Sequence, residues 1–520
     1  MGSTKHPQII NYLNFIRATM TDRVPEGDNL LAVKEQIKLA KKYGLKTTFL
    51  VLYDVFDDPE YLDLLLPLDR EQFEFGIWYE IDQALCEAAG IPWRADYPWY
   101  KHCDIGYPIG YSLADRERLA DENFRRFKEV FGTDARVFGS WFTDTYSINY
   151  ICGKYGLDAM CNCKEQYGTD GYTLWGGYWG QAYYPSVKNV FIPAGSKENQ
   201  TNVPMFKMLG SDPIYQYDFG MDIAKERQHS QEVITLEPVW EAGANPAWVD
   251  WYLKENFNGE CLSFGYAQAG QENSFGWQRI GAGLPYQLEQ MSRMQAEGKL
   301  VIEHLGESGR RYKQAYETTP MSSVTAHSAA DDPGKQTVWF CSANYRVNLY
   351  AEDGEVWIRD LHIFDDSIPD PFAEVICTGS DATYETLPAV DGFTHSGNGV
   401  RSGLYIRFAD DKAPSGIKED ILTYTETEDG CRADFKAQHP VSVTMKKNSL
   451  AIESDTGFRL EHRIGCREEF MPEVVSCTER ELTLSYGGKR YKISLSSGKF
   501  LSPLVLEAEE GQTAAYFTVL

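Results

Sequence analysis

The feature that most constrains this chain is a run of alternating strand and helix signals that fills its first ~320 residues and stops near Pro320. Residues 9–16 (IINYLNFI), 46–53 (KTTFLVLY), 73–79 (FEFGIWY), 135–141, 158–163, 233–236 and 261–266 read as strands. Helical patterns lie between them. One is capped by Asp28, carries Leu30, Val33, Ile37 and Ala40 on its apolar face, and ends at Gly44. Others cover 81–89, stopped by Gly90, then Ser112 to Gly132, 145–155, 246–257, and a long helix through Leu305. The strands are apolar throughout rather than alternating, which is the mark of strands buried on both faces of a parallel sheet under helices. Seven or so such units in ~300 residues suit a closed barrel. An open doubly wound sheet for nucleotides would carry a glycine-rich phosphate loop after its first strand, and neither G-x-G-x-x-G nor a Walker sequence stands there.

Past Pro320 the period changes to two. Residues 337–341, 356–363, 441–445 and 450–453 alternate, and residues 482–495 (LTLSYGGKRYKISL) place two alternating runs around Gly487-Gly488, a two-residue hairpin turn. The expected architecture is α/β: a (β/α)7-type, distorted TIM-like barrel over 1–320 as the catalytic domain, then an antiparallel β-sandwich over 321–520. No repeat or low-complexity linker separates the two, so they are expected to pack tightly.

Charge narrows the partners. The 50 basic and 76 acidic side chains give a net charge of −26, which argues against a nucleic-acid backbone or an anionic membrane surface. No apolar run is long enough for a transmembrane helix. Residues 1–6 lack the apolar stretch of a signal peptide, and Gly2-Ser3 has the look of a scar that replaces one. Eleven scattered cysteines without a C-x-x-C read as reduced thiols and favour a cytoplasmic location. A homo-oligomer is compatible with this composition.

In a parallel barrel, chemistry sits at the C-terminal strand ends. That rule selects Asp22, Glu80, Asp144, Glu237 and Glu272 from the many acids. Two carboxylates facing each other across a glycosidic bond are the usual machinery of glycoside hydrolysis, and aromatic neighbours such as Trp78 beside Glu80 or Trp277 near Glu272 raise an acid's pKa by desolvation. Each has a structural alternative. Asp144 can cap the helix starting at Thr145, Glu80 can serve the first turn of the helix at Ile81, and Glu237 can be a buried ion-pair partner. The glycine-rich stretch 171–184 (GYTLWGGYWGQAYY) carries Tyr172, Trp175, Tyr178, Trp179, Tyr183 and Tyr184. Its rings are expected either to stack on sugars or to pack together as a loop over the barrel mouth. A further cluster holds Trp93, Tyr97, Trp99, Tyr100 and His102 with Arg94, a candidate for binding a hydroxyl or carboxylate. Histidines are sparse in the first part and form no H-x-x-x-H pair, and no G-x-S-x-G elbow is present, so neither a metal nor another cofactor is expected.

Several segments resemble the carbohydrate-active (β/α)7-barrel group that includes polysaccharide deacetylases and the family 38 and 57 glycoside hydrolases. Residues 42–55 (KYGLKTTFLVLYDV) look like the group's second helix–strand step. Residues 135–160 resemble a later strand, loop and helix, and 309–320 (GRRYKQAYETTP) the run out of the barrel. Residues 176–194 look like a related bacterial family of unknown function with a β-domain behind the barrel. The deacetylase metal pattern is absent: Arg17-Ala18-Thr19 follows strand one, and Trp78-Tyr79-Glu80 stands where the histidines would be. By position, the resemblance implies Asp144 for the nucleophile and Glu272 for the acid.

The sequence therefore points to a glycoside hydrolase acting on a carbohydrate substrate. Glu272 is expected as acid/base, Asp144 as nucleophile or base, and Glu80 as a further catalytic candidate. Trp78, Trp141, Trp175, Tyr178, Trp179, Trp277, Arg94, Glu237 and Asp22 are expected to contact substrate. A metal-dependent deacetylase and a non-catalytic carbohydrate-binding protein are the alternatives.

Overall fold

The computed structural model describes residues 5–19, 24–218, 233–409, 419–436, 438–466, 470–508 and 511–519. Asp22 lies outside the described residues.

The first sheet has nine strands, and seven parallel ones make its main path: β1 (Gln8–Ile16), β2 (Thr47–Val51), β3 (Phe73–Trp78), β4 (Val137–Gly139), β5 (Ala159–Asn162), β6 (Met205–Lys207) and β7 (Gly265–Ala269). Their order is β7-β1-β2-β3-β4-β5-β6, and every neighbouring pair in that path is parallel. The sheet curls until β6 and β7 approach: the Gly210 N–H reaches the Gln268 carbonyl at 3.1 Å. This is the (β/α)7-type barrel the sequence predicts. Its apolar strands are buried along their lengths because helices cover the outside and side chains fill the inside.

Helix signals place most elements well. The helix Leu113–Phe131 is capped by the Ser112 hydroxyl on the Asp115 N–H and ends at Gly132 in the left-handed region. The helix Asp28–Tyr43 ends at Gly44 as expected, but its N-cap is Gly27, and Asp28 is its first residue rather than its cap.

Three expectations are corrected. Residues 233–236 form no strand: Thr235 makes an isolated bridge to Ser211, and the sixth barrel strand is Met205–Lys207, three residues inside a stretch with no clear period. The seventh strand starts at Gly265 rather than 261, since Ser263 has φ 59°, which breaks an extended run. The long final helix is two helices, Leu284–Ala296 and Leu305–Ala315, separated by Gly298 at φ 72° and a short strand Val301–Glu303 that pairs with β1.

From Ser322 onward the chain is antiparallel β. One sheet runs from Ser322–Ala326 through Lys335–Cys341, Tyr345–Glu352 and Glu355–Ile363 to Gly403–Phe408 and Phe458–Arg463. The other contains eight strands and includes the hairpin Glu481–Tyr486 and Lys489–Ser497, turned by Gly487 and Gly488 at φ 56° and 76°. Val338, Phe340, Val347 and Ile358 of the first sheet meet Val443, Met445 and Ile452 of the second, which makes a sandwich. Among the described residues no helix is long and apolar enough to cross a membrane. Nine of the eleven cysteines are buried as free thiols.

The barrel and sandwich join through residues 166–184. The strand Tyr172–Trp175 pairs in parallel with Ala382–Glu385, and Trp179 stacks on Trp339 with ring centroids 3.9 Å apart and planes within 4°. Beside that stack Arg346 is fully buried, donating two hydrogen bonds to Asp360 at 2.9 and 2.7 Å and lying 3.4 Å from Glu165, which Lys207 of β6 holds at 2.8 Å. Buried charge is tolerable here because each group is paired and hydrogen-bonded. Truncation of the stack, Trp179→Ala, is expected to cost about 3–5 kcal/mol of stability in denaturant unfolding. A loss below about 1 kcal/mol would show that the junction does not depend on it.

Candidate active site

A cavity of about 1280 Å³ opens where the strands end. Five of the seven strands contribute to its wall just past their last residue, Arg17 after β1, Trp141 after β4, Cys163 and Lys164 after β5, Leu209 after β6 and Glu272 after β7, and Trp99 joins them from the long connection that follows β3. Tyr107, Tyr172, Glu237, Trp240 and Trp248 complete the inner part, while Asp331, Lys335 and Arg401 of the sandwich domain form part of the outer wall.

The centre is Arg17. Its guanidinium lies 2.6 Å from Glu80 Oε2 and 3.2 Å from Glu272 Oε2. The Trp99 ring sits 4.6 Å from it, and the Trp99 indole N–H donates to the same Glu80 oxygen at 3.2 Å. Burial works against the Arg17 charge, but Glu272 and Glu80 outweigh it and hold its pKa above the ordinary value. Burial pushes Glu80 up, opposed by Arg17 and reinforced by repulsion from Glu272. The chain on either side is fixed: the Arg17 backbone exchanges two 2.8 Å hydrogen bonds with the Asn273 side chain, and the Asp54 carboxylate accepts the Ala18 and Thr19 N–H groups at 3.1 and 2.7 Å. Gly270, at φ 118°, makes the sharp exit from β7 that brings Gln271 and Glu272 to the cavity; a Cβ there would collide with the Leu13 carbonyl.

Glu237 stands beside this clamp. It accepts the Thr235 hydroxyl at 2.8 Å and the Gln271 amide at 3.1 Å, and burial raises its pKa against the opposing effects of Lys164 and these hydrogen bonds. Gln271 links the two acids, since its other amide atom accepts the Glu272 N–H at 3.1 Å.

These positions do not fit a divalent metal. Arg17 already places positive charge between Glu80 and Glu272, and among the described residues no three His, Cys, Asp or Glu side chains are grouped to hold an ion.

The structure brings Glu80, Glu237, Glu272 and Trp141 together around this centre, with Glu80 behind Arg17 and the other three on the cavity wall. Trp78 is fully buried, tilted against Phe15 at 4.1 Å and edge-on to Trp141 at 5.2 Å, so it supports the exposed ring rather than touching substrate. Trp277 is half-buried and outside the cavity lining. Arg94 lies on an exposed loop outside the cavity lining, donates from Nη2 to the Asp104 and Gly110 carbonyls, and covers the Tyr111 ring at 4.4 Å.

The expectation for the 171–184 loop is corrected: Trp175, Tyr178 and Trp179 are buried in the domain junction. The Trp175 indole donates to Asp391 at 2.8 Å, and the Tyr178 hydroxyl meets Ser322 at 2.6 Å. Of that stretch, Tyr172 alone appears in the cavity wall.

Asp144 is likewise placed away from the cavity. It caps the helix Thr145–Lys154 and is fully buried against Arg116 at 2.8 Å, with both the Ser147 N–H and hydroxyl donating to it. Arg17 and Lys164 were visible only as strand-end residues; a search confined to carboxylates passes over them.

No family model matches the chain, and no curated protein is similar to it in sequence. Similar solved structures do exist. A protein from Parabacteroides distasonis described as a "putative glycoside hydrolase/deacetylase" matches over 74% of this chain and 91% of its own, at 11% identity and a TM-score of 0.52. A "putative polysaccharide deacetylase" from Mycobacterium smegmatis covers 62% of this chain and 93% of its own, at 12% identity and TM-score 0.37. The 4-alpha-glucanotransferase of Thermococcus litoralis covers 99% and 100%, at 9% identity and TM-score 0.31. The first likeness, at 11% identity, is one of fold.

Asp144→Asn is expected to lower stability by about 3–5 kcal/mol, because it leaves Arg116 buried with no counter-charge. Turnover per folded molecule should stay within about twofold of wild type. A stable but inactive variant would return Asp144 to the catalytic set.

Proposed function

We propose that this chain is a glycoside hydrolase whose working acids are Glu237 and Glu272. The observation that carries the reading is a pair of carboxyl groups in one aromatic-walled cavity, held in opposite electrostatic settings. Glu237 is raised by burial, which outweighs the opposing charge of Lys164 and the hydrogen bonds from Thr235 and Gln271, so it keeps its proton to higher pH. Glu272 is ion-paired to Arg17. Divergent environments of this kind separate the acid from the base or nucleophile.

Glu237 would donate its proton to the leaving glycosidic oxygen. Glu272 would face the sugar's anomeric carbon as nucleophile, or as base for a water, while its charge stabilises the oxocarbenium-like transition state. Trp141, Trp99 and Trp240 present flat faces suited to sugar rings. The cavity exceeds the ~300–1,000 Å³ of drug-sized ligand sites, which suits more than one sugar unit. Glu80 does not act on substrate in this reading; it shares Arg17 with Glu272 and so sets that residue's position and charge.

Glu237→Gln and Glu272→Gln should each lower kcat by about 10²–10⁴-fold on an aryl glycoside or oligosaccharide turned over by the wild type, with the fold intact. Because Glu237 must be protonated to act and its pKa is raised, the alkaline limb of kcat/KM should lie above the ordinary glutamate value. Wild-type turnover by either variant, or an alkaline limb near pH 4, would contradict the assignment.

A further inference from the structure

The cavity differs in charge from the rest of the molecule. Its wall carries six cations (Arg17, Lys101, Lys164, Arg279, Lys335 and Arg401) against five carboxylates, in a chain with 50 basic and 76 acidic residues. Most of these cations have occupation. Arg17 is shared by Glu80 and Glu272, Lys335 and Arg401 both reach Glu352, and Arg279 lies over the Trp240 and Phe275 rings. Lys101 is exposed to water.

Lys164 is different. It is 4% exposed, stands two residues past the end of β5 on the cavity wall, and its one hydrogen bond among the described residues is a long 3.4 Å contact to Gln166 Oε1. It forms no ion pair within 4.0 Å among the described residues. Its acidic neighbour Glu237 is occupied by Thr235 and Gln271. Burial pushes the Lys164 pKa down, opposed most by the Cys163 thiol and Glu237 and less by Asp170 and Glu165. An ammonium buried without a partner is costly, and such groups persist where a counter-charge is supplied. Here the open side of the ammonium is the cavity.

We infer that the cavity takes a sugar bearing a single carboxylate, a uronic acid unit, and that Lys164 recognises that carboxylate. The inference rests on the glycoside hydrolase reading for what is cleaved, but not for what is bound. One ammonium with no ion pair among the described residues matches one negative charge, whereas a phosphate monoester carries up to two. A hydrogen-bonded charge pair in a desolvated cavity also rejects the neutral analogue, because that analogue would leave Lys164 unpaired.

The test is calorimetric binding of glucuronic and galacturonic acid oligosaccharides, their neutral glucose and galactose counterparts, and sulfated counterparts. Wild type should bind a uronate about tenfold or more tightly than its neutral analogue. Lys164→Met should level the two, while Lys164→Arg, which keeps the charge, should retain the preference. Equal affinity of wild type for uronate and neutral sugars overturns the inference whether or not the variants fold, as does a preference for the sulfated sugar over the uronate. Cleavage of neutral glycosides with no uronate preference would overturn it while leaving the hydrolase reading in place. Uronate preference without turnover of any glycoside would do the reverse.

Discussion

The rest of the site depends on one arginine shared between two buried carboxylates. Arg17 leaves the first strand and meets Glu80 from the third and Glu272 from the seventh, so a single guanidinium ties together loops 63 and 255 residues away in sequence. Without it, two like charges would face each other in a dry region, where their repulsion is poorly screened. With it, the charges are compensated and the loops are fixed. The Trp99 ring over the guanidinium and the Asn273 bonds to its backbone show that the position is held from several sides.

A second buried network sets the frame around that centre. Arg346, Asp360, Glu165 and Lys207 link the sixth barrel strand to the first sheet of the sandwich, with the Trp179–Trp339 stack alongside. Since Asp331, Lys335 and Arg401 line the outer cavity, the sandwich is a wall of the site and not merely an appendage. The two networks have different tasks: one balances charge at the strand ends, the other fixes the shape of the space in front of them.

The barrel was readable because its strands are apolar on both faces, and the sandwich because its strands alternate; Val441–Lys446 is buried at every second residue, as its pattern demands. What escaped were the short pieces. Met205–Lys207 and Val301–Glu303 are three residues each, too brief for any period to show, and they are strands only because their neighbours supply hydrogen-bond partners. At the site, the strand-end rule picked out Glu80, Glu237 and Glu272, which the fold brings together around Arg17 and the cavity. It could not separate them from Asp144, since a helix cap and a catalytic acid occupy the same strand-to-helix turn. The aromatic stretch 171–184 misled for a related reason: glycines exclude a regular core stripe, but they do not say whether the freed rings meet sugar or another domain. Only the partners Trp339, Asp391 and Ser322, more than 140 residues away, decide that.

The claim that Arg17 is the charge that permits this site is tested most directly by the pH dependence of unfolding in Arg17→Met. Loss of the guanidinium leaves Glu80 buried beside Glu272 without compensation, so the Glu80 pKa, already pushed up by burial, must rise further. A raised carboxyl pKa weakens the fold at pH values above it, and the penalty fades as the acids protonate. The account therefore predicts a loss of about 3–5 kcal/mol at neutral pH that shrinks steadily as the pH falls toward 4. A loss below about 1 kcal/mol, or one that does not change with pH, would contradict it.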